Sequence, residues 1–249
     1  RLHPDIICNV KWLMCRKDYI YKHNREEEFK NVVIPRILEM CKNAEIIFMN
    51  GQGEALFSPL DKELIQQITK KYPNIKFDFC TNGINCTEEK FKEYNIENKI
   101  KNISISLHAI TKETYDKIVI GGNFDKVMNN IKYLLNLRNN RLLESICINF
   151  VVTDINYHEM MPFLNFAKEN NITVFFSALQ NSFNDEILYK NIAVHNKKHK
   201  NFKKLEKVLT NPDFNCSDCI LDNTLKEIRT DALNKPSSFK EKILKLFKK

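Results

Sequence analysis

The chain has 249 residues, 43% of them hydrophobic and 28% charged, a balance that excludes a disordered polypeptide and allows one barrel-sized domain plus an extension. Its net charge is +8, and no apolar run reaches the about 18 residues of a membrane-spanning helix. Eight cysteines occur without a secretory pattern at the start of the chain. That combination predicts a cytoplasmic, reducing setting and metal or redox use of the thiols, not structural disulfides.

Strand-like runs begin near Asp5, Glu45, Lys76, Asn102, Ser145 and Thr173. The first five lead into helical periodicity, at Glu26 to Cys41, Leu60 to Tyr72, Thr87 to Tyr94, Phe124 to Leu137 and Tyr157 to Glu169. Strands that alternate with helices predict βαβ units and a parallel sheet, wound in one direction by right-handed crossovers. Six units predict an α/β fold, a partial (β/α)6 barrel of parallel strands over residues 1–180, with a short, mostly helical C-terminal extension over 181–249. In such folds functional groups collect at the C-terminal ends of the strands.

Five segments carry polar or ligating residues at those predicted ends. Cys8-Asn9-Val10-Lys11-Trp12-Leu13-Met14-Cys15 sets two thiols in one short loop. A cysteine in place of Trp12 would complete a C-x3-C-x2-C cluster, whereas an indole offers only an N–H donor. Asn50-Gly51-Gln52-Gly53-Glu54-Ala55-Leu56 follows the apolar run Glu45 to Met49. Its glycines allow close backbone approach to a ligand, and its carboxylate can accept hydrogen bonds from an ammonium group. A third strand ends in Thr81-Asn82-Gly83. In Asn102-Ile103-Ser104-Ile105-Ser106-Leu107-His108 the alternation predicts Ser104, Ser106 and His108 on one face and the aliphatic residues on the other. In the next strand Cys147, Asn149 and Val151 share a face, with Asn149 the inward polar group.

In this order the segments resemble the core of radical S-adenosylmethionine (SAM) proteins over roughly residues 4–180, and Asn102 to Val127 resembles members with a SPASM-type C-terminal extension. The resemblance implies a 4Fe–4S cluster on three thiolates, of which the first and third, Cys8 and Cys15, are present while Trp12 stands at the second. It implies SAM bound near Met14, Gly51, Gly53, Glu54, Asn82, Ser104, Ser106, His108 and Asn149. It further implies one-electron cleavage of SAM by the cluster, an electron donor such as flavodoxin or ferredoxin, and radical modification of a peptide or small metabolite. Ala55 departs from the family's Gly-Gly-Glu-Pro segment, and His108 replaces the usual charged residue. Two other readings stay open. One is a non-catalytic descendant that keeps the barrel as a binding or partner-docking module. The other is an RNA-modifying enzyme, suggested by basic charge alone.

Composition changes after Leu179. Gln180 to Asn201 is polar, Phe202 to Leu209 is helical, and Asn215-Cys216-Ser217-Asp218-Cys219 holds a C-x2-C pair. That spacing fits a metal knuckle or, by the resemblance, part of an auxiliary cluster site at Cys216 and Cys219. No cysteine follows Cys219 to close a four-thiolate site. The late lysines read as a solvated exterior, with Phe239 to Phe247 a short basic amphipathic helix able to touch a membrane surface. No nucleic-acid-binding module is recognisable, so nucleic acid is not an expected partner.

Overall fold

A computed structural model describes residues 5–15, 26–51, 53–182 and 185–235. In chain order its strands are β1 (Lys11–Trp12), β2 (Ile46–Met49), β3 (Lys76–Thr81), β4 (Ile100–Ser106), β5 (Val119–Ile120), β6 (Ser145–Val152), β7 (Thr173–Ala178) and β8 (Cys219–Leu221). Six of them form one parallel sheet, ordered β2-β3-β4-β6-β7-β8. The remaining two, β1 and β5, pair antiparallel beside it. The α/β class and the six parallel strands agree with the expectation from sequence.

Two details differ. Residues 5–10 hold no strand, although an apolar run begins at Asp5. Their backbone serves instead as a support for the turn after β2, since the Glu54 N–H donates to the Ile7 carbonyl at 2.8 Å. The sixth strand comes from beyond residue 180: β8 adds to the open edge of β7, with Cys219 opposite Val174 and Leu221 opposite Phe176. Three residues are too few to show a period of two, so pattern alone does not reveal this strand.

Alternation sets the two faces of the sheet. In β4, Ile103 and Ile105 are buried while Ser104 and Ser106 are half-exposed; in β6, Ile148 and Phe150 are buried while Cys147 and Asn149 are half-exposed. The buried face packs on the crossover helices in one core, through Phe77, Phe79, Ile105, Phe150 and Phe176 from strands and Leu64, Phe91, Leu134 and Phe163 from helices. Each such burial contributes roughly 1.5–3 kcal/mol. Leu205 and Leu225 from beyond residue 180 join the same core.

Helices start where a side chain caps them. Ser58 accepts from the Asp61 N–H ahead of Pro59–Lys71, Thr111 from Thr114 ahead of Lys112–Ile118, and Asn123 from Lys126 ahead of Phe124–Asn139. Each cap is worth about 1 kcal/mol. The predicted helix from Glu26 runs on to Asn43, but with a π turn over Phe29–Val33. That wider turn falls just before Pro35, which lacks the N–H an α-helical ladder requires. No described helix is long and apolar enough to cross a membrane. The predicted Phe239 to Phe247 helix lies outside the described residues.

Candidate functional site at the strand ends

The turn after β2 is locked against the chain's first described residues. A side chain on Gly53 would place its Cβ 2.6 Å from the Asp5 carbonyl oxygen and 2.7 Å from that of Ile7. Only glycine permits that approach. Gly51 is exposed beside it. Glu54 is 2% exposed. Its carboxylate accepts from Thr81 Oγ1 at 2.7 Å, the Asn82 N–H at 2.7 Å and the Leu56 N–H at 3.3 Å. Burial raises its pKa, opposed by those hydrogen bonds. Glu54 therefore ties the turn after β2 to the end of β3.

Asn82 carries the tie onward to the cysteine loop. Its amide nitrogen donates to Asn9 Oδ1 at 2.8 Å and lies 3.9 Å from Cys8 Sγ. Cys8 and Cys15 are both half-buried. Burial raises each thiol above its ordinary value, and for Cys8 the Val10 backbone hydrogen bond opposes the rise. The two thiols are near enough for Cys15 to add to the shift at Cys8. Met14, half-buried, packs against the small apolar cluster of Leu179, Ile192 and Ala193.

Trp12 lies between the two cysteines and is fixed from two sides. Its backbone pairs with Val119 in the β1–β5 ribbon, and its ring meets His108 edge to face at 4.8 Å. His108 does not continue the β4 alternation. The strand ends at Ser106, and His108 takes a left-handed backbone with φ of 59°. That turn sends the ring inward: His108 is 6% exposed, and its Nδ1 accepts from the Val151 N–H at 3.0 Å. Burial depresses its pKa to about 3, against a hydrogen bond to the Asn149 backbone. His108 is a neutral, structural imidazole next to the mouth.

Ser104, Ser106 and Asn149 do share the half-exposed face. Asn149 Nδ2 donates to Ser104 Oγ at 2.8 Å. Ser106 stands beside Asn149 in the β4–β6 register. Among the described residues Ser106 Oγ has no hydrogen-bond partner.

Several supporting residues were not anticipated. Asn156, fully buried, donates to the His108 and Val151 carbonyls at 2.8 and 2.9 Å and so holds the loop after β4. Ser58 donates to Asp5 Oδ2 at 2.5 Å while it caps its helix. Asp61, in the first turn of that helix, is 2% exposed and leaves Oδ1 without a partner. Burial, then the Asp5 and Glu54 charges, push its pKa up to about 8. A Ser-Pro-x-Asp start predicts the cap; it does not reveal that Asp5 lies opposite.

Cys216 and Cys219 are not part of this mouth. Cys219 pairs with Val174, near the start of β7 and thus at the other end of the sheet. Among the described residues no group of three or more His, Cys, Asp or Glu side chains could hold a metal ion, at either cysteine pair. Two thiolates and an indole do not fit a cubane held by three thiolates.

A six-stranded parallel sheet with polar residues gathered at the C-terminal ends of its strands defines an α/β protein. The family model described as the radical SAM superfamily matches residues 7–167, and the chain belongs to that family. It is 31% identical over 179 residues to a GTP 3',8-cyclase of Clostridium perfringens, covering 69% of this chain and 52% of that protein. It is 29% identical over 171 residues to an uncharacterized protein of Methanocaldococcus jannaschii, covering 68% of this chain and 53% of that protein. The chain thus spans about half the length of the curated relatives it matches. The crystal structure of a methylornithine synthase aligns with a TM-score of 0.48 at 14% identity, over 74% of this chain and 56% of that one.

Proposed function

We propose that the mouth binds S-adenosylmethionine and that this radical SAM-type protein acts there on a peptide or small metabolite. The observation that carries the reading is Ser106. Ser106 is half-buried at the C-terminal end of a central parallel strand, next to Asn149, and its hydroxyl has no hydrogen-bond partner among the described residues. A ribose or carboxylate oxygen would complete it. Gly51, exposed, leaves the backbone of the neighbouring turn open to the methionine end, while Gly53 holds that turn against residues 5–7. Glu54 serves mainly to position Asn82 and that turn. Calorimetry of the metal-free protein with S-adenosylmethionine is the test. Weak binding is expected, reduced in Ser106→Ala by about 0.5–1.5 kcal/mol, which is severalfold in affinity. Absence of binding would favour a docking module that keeps the barrel alone.

The catalytic reading, against the docking module, is supported by the retained thiol pair. Cys8 is held by Asn82, and Cys15 lies within its electrostatic reach. On this reading Cys8 and Cys15 would supply two of the thiolates of a labile 4Fe–4S cluster, which would bring one-electron chemistry to the mouth with a flavodoxin- or ferredoxin-type donor as partner. Anaerobic reconstitution with iron and sulfide, read by the cluster's visible absorbance, separates the two readings.

A further inference from the structure

We propose that Cys216 and Cys219 form a redox-modification site, a vicinal dithiol that a low-molecular-weight disulfide of the glutathione class converts to an intramolecular disulfide. The backbone is already set for it. The Cys219 N–H donates to the Cys216 carbonyl at 3.2 Å, closing a four-residue turn. Such a turn brings its end Cα atoms within about 7 Å, and a disulfide needs about 4.4–6.8 Å. The two side chains lie close enough that the Cys216 thiol adds to burial in pushing the Cys219 thiol up to about 12.

Structure on both sides holds this turn. Cys216 terminates the 3-10 turn Pro212–Asn215, and its N–H donates to the Asp213 carbonyl at 3.4 Å. Cys219 opens β8, and the Asp218 carbonyl accepts from the Val174 N–H at 2.7 Å. Arg229, buried, donates to the Asn211 carbonyl at 2.9 Å and to Asn215 Oδ1 at 3.0 Å. Closure of the disulfide therefore asks for little backbone movement. Both cysteines are half-buried at the edge of the core, and their access to a small reagent is what the experiment below reads. No third ligating side chain completes a metal group there among the described residues, so the pair is free for thiol chemistry.

The exchange proceeds in two steps. One thiolate attacks a sulfur of the reagent, forms a mixed disulfide and expels the first small thiol. The second cysteine thiolate then attacks the protein sulfur of that mixed disulfide and expels the other small thiol. Two protein thiols lose two protons and two electrons in forming the S–S bond, and the reagent takes up both to become two thiols. Cys8 and Cys15 are seven positions apart, and the four-residue turn from Trp12 to Cys15 does not join one to the other.

The intact chain of 249 residues, treated with oxidised glutathione, digested and mapped by mass spectrometry, tests the proposal. The expected peptide spanning Cys216 and Cys219 is lighter by two hydrogens and carries no glutathione. Cys216→Ser and Cys219→Ser are each expected to retain one glutathione on the remaining thiol. Dithiothreitol should restore both thiols in the wild-type chain. A wild-type turn that keeps glutathione as long as the single variants do would overturn the proposal. So would failure of both thiols to react in the folded chain.

Discussion

Trp12 and His108 meet edge to face, their ring centroids 4.8 Å apart and their planes at 78°. Trp12, which the family resemblance sets at a cluster-ligand position, is therefore held in a packed aromatic pair, worth about 0.5–1.5 kcal/mol beyond its buried area. Trp12→Cys should accordingly act in two directions. It should lower stability by about 1–3 kcal/mol, through lost packing, and raise the iron and sulfide retained after anaerobic reconstitution. Denaturant unfolding reads the first effect and metal analysis with visible absorbance the second. A variant that holds no more iron than the parent chain would show that the missing ligand is not what limits the cluster.

His108 makes the fold sensitive to acid. An ordinary histidine titrates near 6.5, whereas burial holds this one at about 3. Between those values the unfolded chain binds a proton that the native chain does not, so stability falls as pH drops through that window. The slope contributed by one such group is at most about 1.4 kcal/mol per pH unit. His108→Asn keeps a residue type that tolerates the left-handed backbone. It should be less stable at neutral pH, from lost contact with Trp12, yet show a shallower loss between pH 6.5 and pH 4. Parallel slopes for the two proteins would refute this origin of the acid sensitivity.

The contrast between Ser106 and His108 shows how far pattern reading carries. Strict alternation from Asn102 to Ser106 predicts faces, and both serines fall on the half-exposed side. Two residues on, a positive φ reverses the direction of His108, and periodicity has no means to register one left-handed residue. The cysteine loop and the turns at Gly53 and Asn82 are legible because local spacing encodes them. That Glu54 joins Thr81 and Asn82 is a tertiary fact, with partners 27 and 28 positions away. Asp61 is more hidden still, since a first-turn aspartate normally reads as a solvated partner of the helix dipole, and here Asp5 and Glu54 are its neighbours.

Gly53→Ala should damage the mouth without touching any ligand. The new methyl group would sit 2.6 Å from one backbone oxygen and 2.7 Å from another, and neither is a flexible side-chain end. Overpacking of this kind costs about 1–3 kcal/mol. A lowered melting temperature is expected, with faster hydrogen exchange at the Glu54 amide. An unchanged melt would mean that residues 5–7 do not rest on this turn.

Asp61 gives an opposite pH signature to His108. Its pKa rises from 3.8 in the reference state to about 8 in the folded chain. Between those values the native state binds a proton that the unfolded state has lost, so this group's contribution falls as pH rises from about 4 to 8. Asp61→Asn removes the charge and keeps the shape. It should stabilise the protein at pH 9 by on the order of 1–3 kcal/mol, with the gain shrinking toward pH 5. Thermal melts of both proteins across that range give the answer, and a gain independent of pH would rule out the buried carboxyl as its cause.

Glu54 and Ser106 separate support of the site from contact with its ligand. Glu54→Ala removes an acceptor from Thr81, Asn82 and Leu56 at once. Each buried donor left unpaired costs about 1–3 kcal/mol, and Asn82 loses the anchor that sets it against Asn9 and Cys8. Lower stability and lost S-adenosylmethionine binding should therefore appear together. Ser106 makes no hydrogen bond to a described residue, so Ser106→Ala should weaken binding severalfold and leave the melting temperature unchanged. Calorimetry and thermal unfolding on the same two variants distinguish these outcomes. Were Glu54→Ala to keep both its melt and its affinity, the turn from Gly51 to Leu56 would have no part in the site. Were Ser106→Ala to bind as the parent does, the ligand would have to lie elsewhere than along the C-terminal ends of β4 and β6.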